Sequence, residues 1–348
     1  MDPAFPAVSG GPHPAVSAVR TAVRRLLRVA EAGGHLDSGT VAVACSGGAD
    51  SLALAAATTH EARHRNLAVH GLVVDHGLQP GSAEVAERAA EQLRDLGCAA
   101  VRVLRVRVGR GGGPEAAARR ARYAALEAAR PDPGALVLLG HTLDDQAETV
   151  LLGLGRGSGP RSIAGMRPLD PPWARPLLGV PRATTAAACA ALGLRPWVDP
   201  HNSDPRFTRV RLRTEVLPLL EEVLQGGVAA ALARTAAQLR EDCDALDELG
   251  ERLFAAARRP AVPEAGAGAV GDELDVTLLA AEPVAVRRRA VRAWLLTAGV
   301  PGLTDQLLRR VDALVGEWRG QGGVTLPGGW VARRTRGRLR LDDQQRQR

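Results

Sequence analysis

The sequence predicts an α/β fold, with a parallel sheet in the N-terminal part of the chain and a mainly helical C-terminal region. Short apolar runs alternate with helix-like stretches between residues 41 and 154. This alternation ends near residue 210, where longer helical patterns begin. Alternating strands and helices form right-handed βαβ units around a parallel sheet. Residues at the strand ends should therefore gather at the carboxyl edge of the sheet, where ligands bind in open α/β folds.

The individual elements follow from the spacing of apolar residues. Apolar runs of strand length are rich in Val, Leu and Ala, and they lie near residues 41–45, 68–74, 101–108 and 135–140. Stretches with helical periodicity lie between and after them, near residues 51–62, 82–96, 114–130 and 142–154. A basic amphipathic helix at about 16–31 precedes the first strand, and Ser82 is the predicted N-cap of the second of these four helices.

The 348 residues are long enough for two domains. Residues 1–15 are rich in Pro, Gly and small side chains, which predicts disorder. The alternating pattern predicts one domain over 16–214, and a helical pattern predicts a linker helix over 215–260. A small C-terminal domain follows over 261–348. It begins with a Gly/Ala/Pro-rich link and continues with predicted helices near 283–298 and 304–319 and strands near 323–326 and 330–341.

The charge of the chain favours a polyanionic partner. The chain contains 45 basic residues, all of them Arg, against 38 acidic residues, which gives a net charge of +7. Arginine binds phosphate in a bidentate manner, so nucleic acid is one explanation, and a GC-rich genome is the other. The four cysteines are scattered without a Cys-x-x-Cys pair, and no apolar stretch reaches about 18 residues. We therefore expect a cytoplasmic protein with no membrane partner.

The most specific motif is Ser-Gly-Gly-Ala-Asp-Ser at residues 46–51, directly after the apolar run Val41–Cys45. The helix-like stretch Leu52–Ala57 follows, so a strand leads through a small-residue loop into a helix N-terminus. Such a terminus binds phosphate because its first N–H groups lack partners and its dipole attracts anions. A generic glycine-rich turn is the alternative, and a Walker A motif is excluded because this chain has no Lys. The candidate ATP contacts are Ser46, Gly47, Gly48, Ala49, Asp50 and Ser51.

A second motif, Val-Asp-His-Gly-Leu at 74–78, ends the second predicted strand. Its position one βαβ unit after the loop favours Asp75 and His76 as further nucleotide contacts. An Asp at a strand end is as often a cap for a turn as a ligand contact. His76 is equally well explained as an ordinary turn residue.

A third motif, Gly-His-Thr-Leu-Asp-Asp-Gln-Ala-Glu-Thr at 140–149, leads from the fourth predicted strand into a helix. A capping box between Thr142 and Asp145 is the structural alternative, and it explains one carboxylate. It does not explain why three carboxylates, those of Asp144, Asp145 and Glu148, occur within five residues. Carboxylates opposite a phosphate loop suit Mg²⁺. The candidates are Gly140 and His141 for nucleotide contacts, and Asp144 and Asp145 for catalysis and Mg²⁺.

Arginines in three further segments are candidates for phosphate or RNA contacts. Arg119 and Arg122 share a helix face, although a solvated surface explains them equally well. Arg156 lies among glycines, and a surface position is again the alternative. Arg209 and Arg213 belong to an alternating series that predicts either an extended strand or the start of a helix; either could contact RNA phosphate.

Taken together, these motifs resemble the bacterial tRNA(Ile)-lysidine synthases, a family of PP-loop ATP pyrophosphatases. The matching segments occur in the family's order and cover about residues 38–222. They include the three motifs above and four further segments: Glu-Ala-Ala-Ala-Arg-x-x-Arg-Tyr at 115–123, Arg-Gly-Ser-Gly at 156–159, Arg-Pro-Leu-Leu at 175–178 and Trp-x-x-Asp-x-x-Asn at 197–202. The loop alone indicates only the superfamily. The Arg-Pro-Leu-Leu and Trp-x-x-Asp segments favour lysidine synthase over related tRNA thiolases.

The resemblance implies an adenine nucleotide α-hydrolase-like domain over 16–214, which adenylates the substrate, and a tRNA-binding domain over 261–348. It implies ATP and Mg²⁺, with free L-lysine and a tRNA(Ile) bearing a CAU anticodon as partners, and it leaves a homodimer open. Lysine would be joined to C2 of the wobble cytidine. The implied roles are catalysis for Asp50, Asp144, Asp145 and Arg122, metal binding for Asp144 and Asp145, and tRNA binding for Arg119, Arg156, Arg209 and Arg213. The arginine-rich segments 287–292 and 333–340 are further tRNA candidates.

Two other functions remain open from the sequence. A tRNA cytidine thiolase also adenylates its substrate, but such enzymes commonly carry paired Cys-x-x-Cys motifs and an iron–sulfur cluster. A nucleotide-sensing, RNA-binding protein without catalysis would explain the loop and the basic charge. It would not explain three carboxylates beside the loop.

Overall fold

The computed structural model describes residues 11–77, 81–109, 113–157, 159–199, 204–260 and 271–343. Within it the chain forms two compact units, one ending at Gln238 and the other beginning at Leu239. The disorder predicted for residues 1–15 falls mostly outside the described part. Pro14 and Ala15 are an exception, because the first helix already begins at Pro14.

The first unit contains a six-stranded sheet in the order β3-β2-β1-β4-β6-β5. All neighbours are parallel except β5 and β6, which form a short antiparallel pair. The four predicted strands and the α/β class are confirmed. The strands are β1 (Thr40–Cys45), β2 (Ala68–Asp75), β3 (Ala100–Arg105), β4 (Leu136–Leu139), β5 (Leu169–Asp170) and β6 (Trp173–Ala174).

Helices follow the strands where the periodicity predicts them. Ser82 is the first residue of its helix rather than the N-cap, because Gly81 takes the cap position with a left-handed φ of 81°. The helices are α1 (Pro14–Ala32), α2 (Ala49–Arg63), α3 (Ser82–Asp95), α4 (Pro114–Ala128), α5 (Leu143–Gly155), α6 (Pro160–Ile163) and α7 (Arg182–Ala191).

Helix α2 is the central helix of this unit and is buried on nearly all sides. It packs between the sheet on one side and α1 and α7 on the other. Its buried Glu61 accepts two hydrogen bonds from Arg24 of α1, at 2.9 Å from Nε and 2.8 Å from Nη2. These bonds hold the pKa of Glu61 below its ordinary value. The helix that follows the phosphate loop is therefore fixed by packing and by a buried ion pair.

The strand order brings the three strand-end motifs together. Strand β1 lies between β2 and β4, so the loops that follow these three strands are neighbours at the carboxyl edge. The approach of β4 to α2 is very close at Gly140. A Cβ atom there would lie 3.1 Å from the backbone of Asp50 and of Ser51. Only glycine fits this position without a shift of the neighbouring backbone.

The helix predicted over 215–260 is not continuous. The structure has two helices with a break between them, because Gln225, Gly226 and Gly227 all adopt left-handed φ values. The elements are α8 (Thr208–Arg211), a π-helical turn (Leu212–Val216), α9 (Leu217–Val223) and α10 (Val228–Ala257).

Among the described residues no single helix is long and apolar enough to span a membrane. The bent pair Thr208–Val223 and Val228–Ala257 reaches the required length and composition only when its two helices are taken together.

The second unit combines helices with a five-stranded antiparallel sheet of order β7-β8-β11-β10-β9. The two predicted helices and the two late strand regions are confirmed, while β7, β8 and α11 were not predicted. The elements are β7 (Arg258–Arg259), β8 (Glu273–Asp275), α11 (Val276–Ala280), α12 (Val284–Thr297), α13 (Asp305–Gly316), β9 (Val324–Leu326), β10 (Trp330–Thr335) and β11 (Arg338–Asp343).

The first arginines of the 287–292 segment bind carboxylates of their own unit. Buried Arg287 donates to both oxygens of buried Asp312, at 2.5 and 3.1 Å, and Arg288 donates to the same carboxylate at 3.2 Å. Arg289 donates to Asp247 at 2.7 Å. These side chains connect α12 to α13 and α10.

We expect Gly140→Ala to lower the free energy of unfolding by about 1–3 kcal/mol, because the added methyl group overpacks the junction between β4 and α2. Gly155→Ala is the matched control, since a Cβ atom there meets nothing within 4 Å. Urea denaturation of the two variants provides the comparison. Equal stability of Gly140→Ala and the wild type would contradict the close approach.

Asp312→Ala should destabilise the second unit by about 3–5 kcal/mol, because it leaves the charge of Arg287 buried without its partner. Glu248→Ala removes the partner of exposed Arg252 and should cost less than about 1 kcal/mol. Denaturation followed by tryptophan fluorescence measures both variants. A small, equal effect of the two would show that the buried pair is not needed.

Candidate active site

The loop at residues 46–51 forms a tight turn that leads from β1 into α2. Gly47 has a left-handed φ of 81°, and its carbonyl accepts a hydrogen bond of 2.9 Å from the N–H of Trp197. The Ser51 hydroxyl donates to the Gly48 carbonyl at 2.9 Å and accepts from the Ser46 N–H at 3.2 Å. Gly48 is the N-cap without a side-chain cap. The first N–H groups of α2 thus have no partner inside the helix, as an anion site requires.

Carboxylates from two helices face this loop. Asp50 lies in the first turn of α2, and Asp144 and Asp145 lie in the first turn of α5. The predicted capping box forms, with the N–H of Thr142 donating to Oδ2 of Asp145 at 2.8 Å. The other oxygen, Oδ1, takes no part in the cap and faces Arg182. The capping interpretation of Asp145 is therefore confirmed for Oδ2, and it leaves Oδ1 free of the cap.

Arg182, at the start of α7, joins these carboxylates. Its Nη2 donates to Oδ1 of Asp145 at 2.7 Å, and its Nε donates to Oδ2 of Asp50 at 3.3 Å. Its backbone N–H donates to Oδ2 of Asp144 at 2.8 Å. Thr185, one turn later on α7, donates its hydroxyl proton to the other oxygen of Asp50. One helix N-terminus thus holds carboxylates from both α2 and α5.

Glu148, the third acidic residue of α5, is fully buried beside this cluster. Its Oε1 accepts a 2.8 Å hydrogen bond from Nε of Arg213, and Nη2 of Arg213 lies 3.6 Å from Asp145. Nη1 of Arg209 lies 3.8 Å from Oε2 of Glu148, an atom that receives no hydrogen bond from the described residues. Arg209 and Arg213 lie in α8 and the π-helical turn, so the helical alternative is the one observed.

A second group of cations surrounds Tyr123 on α4. Arg119 donates to the Tyr123 hydroxyl at 3.1 Å, and its guanidinium lies 4.8 Å from the ring centre. The Arg122 guanidinium lies 5.5 Å from the same ring. Burial opposes ionisation of Tyr123, but Arg119, Arg122 and buried Arg175 together lower its pKa below the ordinary value. This surplus of positive charge beside the carboxylates suits a phosphate group.

Two histidines lie close to Arg122 and are held neutral. Burial lowers the pKa of His141 to about 3, and the charge of Arg122 acts in the same direction. Burial and Arg122 also lower the pKa of His76. The Nδ1 atoms of both histidines and the Nε atom of Arg122 are buried without a hydrogen-bond partner among the described residues. These unpaired polar atoms suit a polar ligand.

The carboxyl groups of the cluster have different proton affinities. Burial raises the pKa of Asp50 above its ordinary value, although Thr185 and Arg182 oppose the shift. Burial likewise raises the pKa of Glu148 against the effect of Arg213. Burial acts the same way on Asp145, but Arg182 and the hydrogen bond from Thr142 outweigh it, so its pKa is lowered. Asp145 is therefore the carboxylate of this set that most firmly keeps its charge.

The oxygen atoms of these carboxylates suit a divalent cation that also has ligands from outside the protein. Their hard oxygen atoms are the ligands that Mg²⁺ prefers, and Oε2 of Glu148 is buried without a donor. The described residues hold no group of three or more His, Cys, Asp or Glu side chains placed to bind one metal ion together. The arrangement thus suits an ion held by one or two carboxylates, phosphate oxygens and water, not an all-protein cage.

The remaining predicted residues lie at the same edge or near it. Asp75 is buried at the end of β2, and its Oδ1 accepts a 3.0 Å hydrogen bond from the Gly77 N–H, as the turn-cap interpretation requires. Arg156 is exposed at the C-cap of α5. Of the four tRNA candidates in this part of the chain, Arg119 and Arg156 are exposed, whereas Arg209 and Arg213 are half-buried and contact carboxylates of the cluster.

Sequence reasoning missed three residues of the site. Arg182 and Thr185 lie on α7, and Arg175 follows β6; none had been assigned a role. A signal existed for Arg175, which begins the quoted Arg-Pro-Leu-Leu segment at the end of β6. Arg182 and Thr185 stand in an Ala-rich helix, and only the packing of α7 against α2 brings them to Asp50.

The low pKa of His141 predicts a pH dependence of stability. Between about pH 6.5 and pH 3 the unfolded chain binds a proton at His141 that the folded chain does not bind. The free energy of unfolding should therefore fall as the pH decreases through this range, by up to about 1.4 kcal/mol per pH unit for this group. Denaturation of wild type and His141→Gln at several pH values tests this. The variant should show the shallower slope, and identical slopes would contradict a neutral His141.

Comparison with known proteins identifies both parts of the chain. Residues 19–220 match the PP-loop domain family, and residues 274–340 match the TilS substrate binding domain. The tRNA(Ile)-lysidine synthase of Nocardia farcinica is 62% identical over 88% of this chain and 92% of its own length. That of Rhodococcus erythropolis is 56% identical over 96% of this chain and 98% of its own.

A solved structure shares the fold of the first unit. The U34-tRNA thiolase NcsA from Methanococcus maripaludis, with its [4Fe-4S] cluster, covers 65% of this chain and 80% of its own length, with a TM-score of 0.51 and 18% identity. At that identity the likeness concerns the fold alone. The two domain matches and the identity to the curated relatives cover most of the chain, and the resemblance drawn from the sequence motifs is confirmed. The chain belongs to the tRNA(Ile)-lysidine synthase family.

Proposed function

We propose that this chain joins free L-lysine to C2 of the wobble cytidine of a tRNA(Ile) with a CAU anticodon, with ATP as the activating substrate. One observation carries the proposal. A phosphate-binding helix N-terminus at residues 46–51 faces a cluster of carboxylates and arginines, in a chain with both domains of the lysidine synthase family. The product would decode AUA in place of AUG.

The first step is adenylation of the base. The C2 carbonyl oxygen of cytidine attacks the α-phosphate of ATP, and pyrophosphate leaves. Pyrophosphate suits the N–H groups at the start of α2, because a helix N-terminus stabilises anions. Arg122, whose buried Nε has no partner, is our candidate for stabilising the charge that develops on the α-phosphate.

The second step is displacement by lysine. The side-chain amine of lysine, once deprotonated, attacks C2 of the adenylated cytidine, and AMP leaves with the former carbonyl oxygen. The chain itself contains no Lys, so its own side chains offer no competing primary ε-amine. The only lysine in this reaction is the substrate.

We propose Asp144 and Asp145 as the residues that hold Mg²⁺, which would supply charge neutralisation at the phosphates. Asp50 is proposed to assist as a polar contact. The nucleotide itself is proposed to contact the loop residues 46–51 together with Asp75, His76, Gly140 and His141, which line the carboxyl edge of β1, β2 and β4.

The tRNA contacts are proposed for both parts of the chain. Arg119 and Arg156 are exposed and suit phosphate contacts, while Arg209 and Arg213 would act from within the site.

The domain division at 16–214, 215–260 and 261–348 stays a prediction, with the last segment as the tRNA-binding domain. We propose a cytoplasmic enzyme; a homodimer stays a prediction.

The cysteines distinguish this function from thiolation. Burial raises the pKa of Cys98 to about 12 and that of Cys189 to about 11. Both thiols are therefore protonated at neutral pH, whereas sulfur chemistry and cluster binding need thiolates. Thiolation is the less favourable function for this chain.

Incubation with ATP, isotopically labelled lysine and a CAU-anticodon tRNA(Ile) transcript tests the proposal. We expect label in the RNA at the wobble position, together with release of pyrophosphate. Pyrophosphate release without lysine incorporation would point to a different acceptor. Binding of ATP and tRNA without pyrophosphate release would support the non-catalytic alternative.

Asp50→Ala should lower pyrophosphate release by at least about a hundredfold. The variant removes the carboxylate in the first turn of α2, which we propose as a polar contact at the reacting phosphate. Asp95→Ala removes an exposed carboxylate at the end of α3 and is the matched control, with activity near that of the wild type. Circular dichroism checks that both variants fold. Full activity of folded Asp50→Ala would remove Asp50 from the site.

A further inference from the structure

Arg182 is the one side chain that reaches carboxylates of both α2 and α5 in the described site. It contacts Asp50 at 3.3 Å and Asp145 at 2.7 Å, and its Nη1 lies 3.9 Å from Oε1 of Glu148. Its backbone N–H also binds Asp144. A single residue therefore touches all four acidic groups that could hold a cation.

The position of Arg182 is fixed from its own helix. It is the first residue of α7, directly after Pro181, which is the N-cap of that helix. The backbone of Arg182 is thus held by the helix start, whereas its guanidinium reaches the carboxylates through a flexible side chain that is 27% exposed. The guanidinium can leave the cluster without disturbing α7.

Charge balance explains why a cation is needed at this place. Asp50, Asp144, Asp145 and Glu148 carry up to four negative charges in a partly buried region. Arg213 and Arg209 compensate the Glu148 side of the cluster. Among these three arginines, Arg182 is the one that contacts Asp50. Without it, Asp50 would lose its arginine partner, and Asp145 would keep only Arg213, whose Nη2 lies 3.6 Å away.

We propose that Arg182 is the resident counter-cation of this site: it holds Asp50 against Asp145 in the nucleotide-free enzyme and withdraws when a divalent cation arrives with ATP. Arg182 is in this role a positioning residue. The inference rests on the proposed function for the arrival of a metal–nucleotide complex. Its test needs neither tRNA nor lysine, so the two can fail separately.

Binding of Mn²⁺ without nucleotide tests the proposal directly. The electron paramagnetic resonance signal of unbound Mn²⁺ is measured against each variant. Arg182→Gln removes the positive charge, so the carboxylates should bind Mn²⁺ about tenfold or more tightly than in the wild type. Arg211→Gln, which removes an exposed arginine paired with Glu215, is the matched control and should not change the affinity.

Two further variants separate charge from shape. Arg182→Lys keeps the positive charge, so its Mn²⁺ affinity should stay near that of the wild type. Adding Asp145→Asn to Arg182→Gln should remove the gained affinity, because it deletes a ligand. The proposal is overturned if folded Arg182→Gln binds Mn²⁺ no better than wild type, or if Arg182→Lys gains as much as Arg182→Gln.

A measurement on the wild type keeps the proposal testable if Arg182→Gln does not fold. The side-chain Nε–H signal of Arg182 should exchange slowly with solvent in the nucleotide-free protein, since it is bonded to Asp50. Addition of Mg²⁺ with a non-hydrolysable ATP analogue should remove this protection. A signal that stays protected under saturating nucleotide would show that Arg182 does not withdraw.

Discussion

The structure of the site depends on one interaction, the attraction between Arg182 and carboxylates that would otherwise repel one another. Asp50 and Asp145 begin different helices, and each is placed there by its own strand–loop–helix unit. The negative charge of Asp145 acts on Asp50, and two like charges that interact in this way destabilise a fold unless a cation lies between them. The guanidinium supplies that cation from a third helix. The starts of α2, α5 and α7 are thus held together by charge as much as by packing.

Backbone packing sets how close those charges come. The sheet order places β1 between β2 and β4, and Gly140 allows the end of β4 to approach the start of α2 within van der Waals contact. Helix α2 is fixed from its other side by the buried pair of Arg24 and Glu61. Packing on both sides thus fixes the orientation of the N–H groups of the loop, as the proposed nucleotide site requires. Preorganised donors of this kind lower the cost of binding and of charge development in catalysis.

Much of this molecule could be predicted from its sequence, because the signals are local. The alternation of apolar runs predicted β1 to β4, and the motif at 46–51 predicted the loop that leads from β1 into α2. The break at Gln225–Gly227 was missed although the Gly226–Gly227 pair is a signal for a helix end, because the apolar pattern continues on both sides of it. The role of Arg182 could not be predicted, since it depends on how α7 packs against α2. The capping role of Asp145 was one of two alternatives; the geometry confirms it for Oδ2, and the proposed metal role of this residue stays a prediction.

The positive charge of the chain also needs a different interpretation once the structure is known. Composition alone suggested arginines facing RNA, but Arg209 and Arg213 compensate Glu148, and Arg287 compensates Asp312. A chain without Lys places Arg in every internal ion pair, where the planar guanidinium binds two oxygens at once. Part of the basic composition therefore serves the fold.

We propose that this site activates the base of the tRNA rather than the lysine. The most direct measurement follows the C2 oxygen of the wobble cytidine, labelled with a heavy isotope, through one turnover. Because that oxygen would attack the α-phosphate and its bond to C2 would then break, we expect the label in the released AMP. Label that remains in the RNA, with an unlabelled AMP, would contradict it.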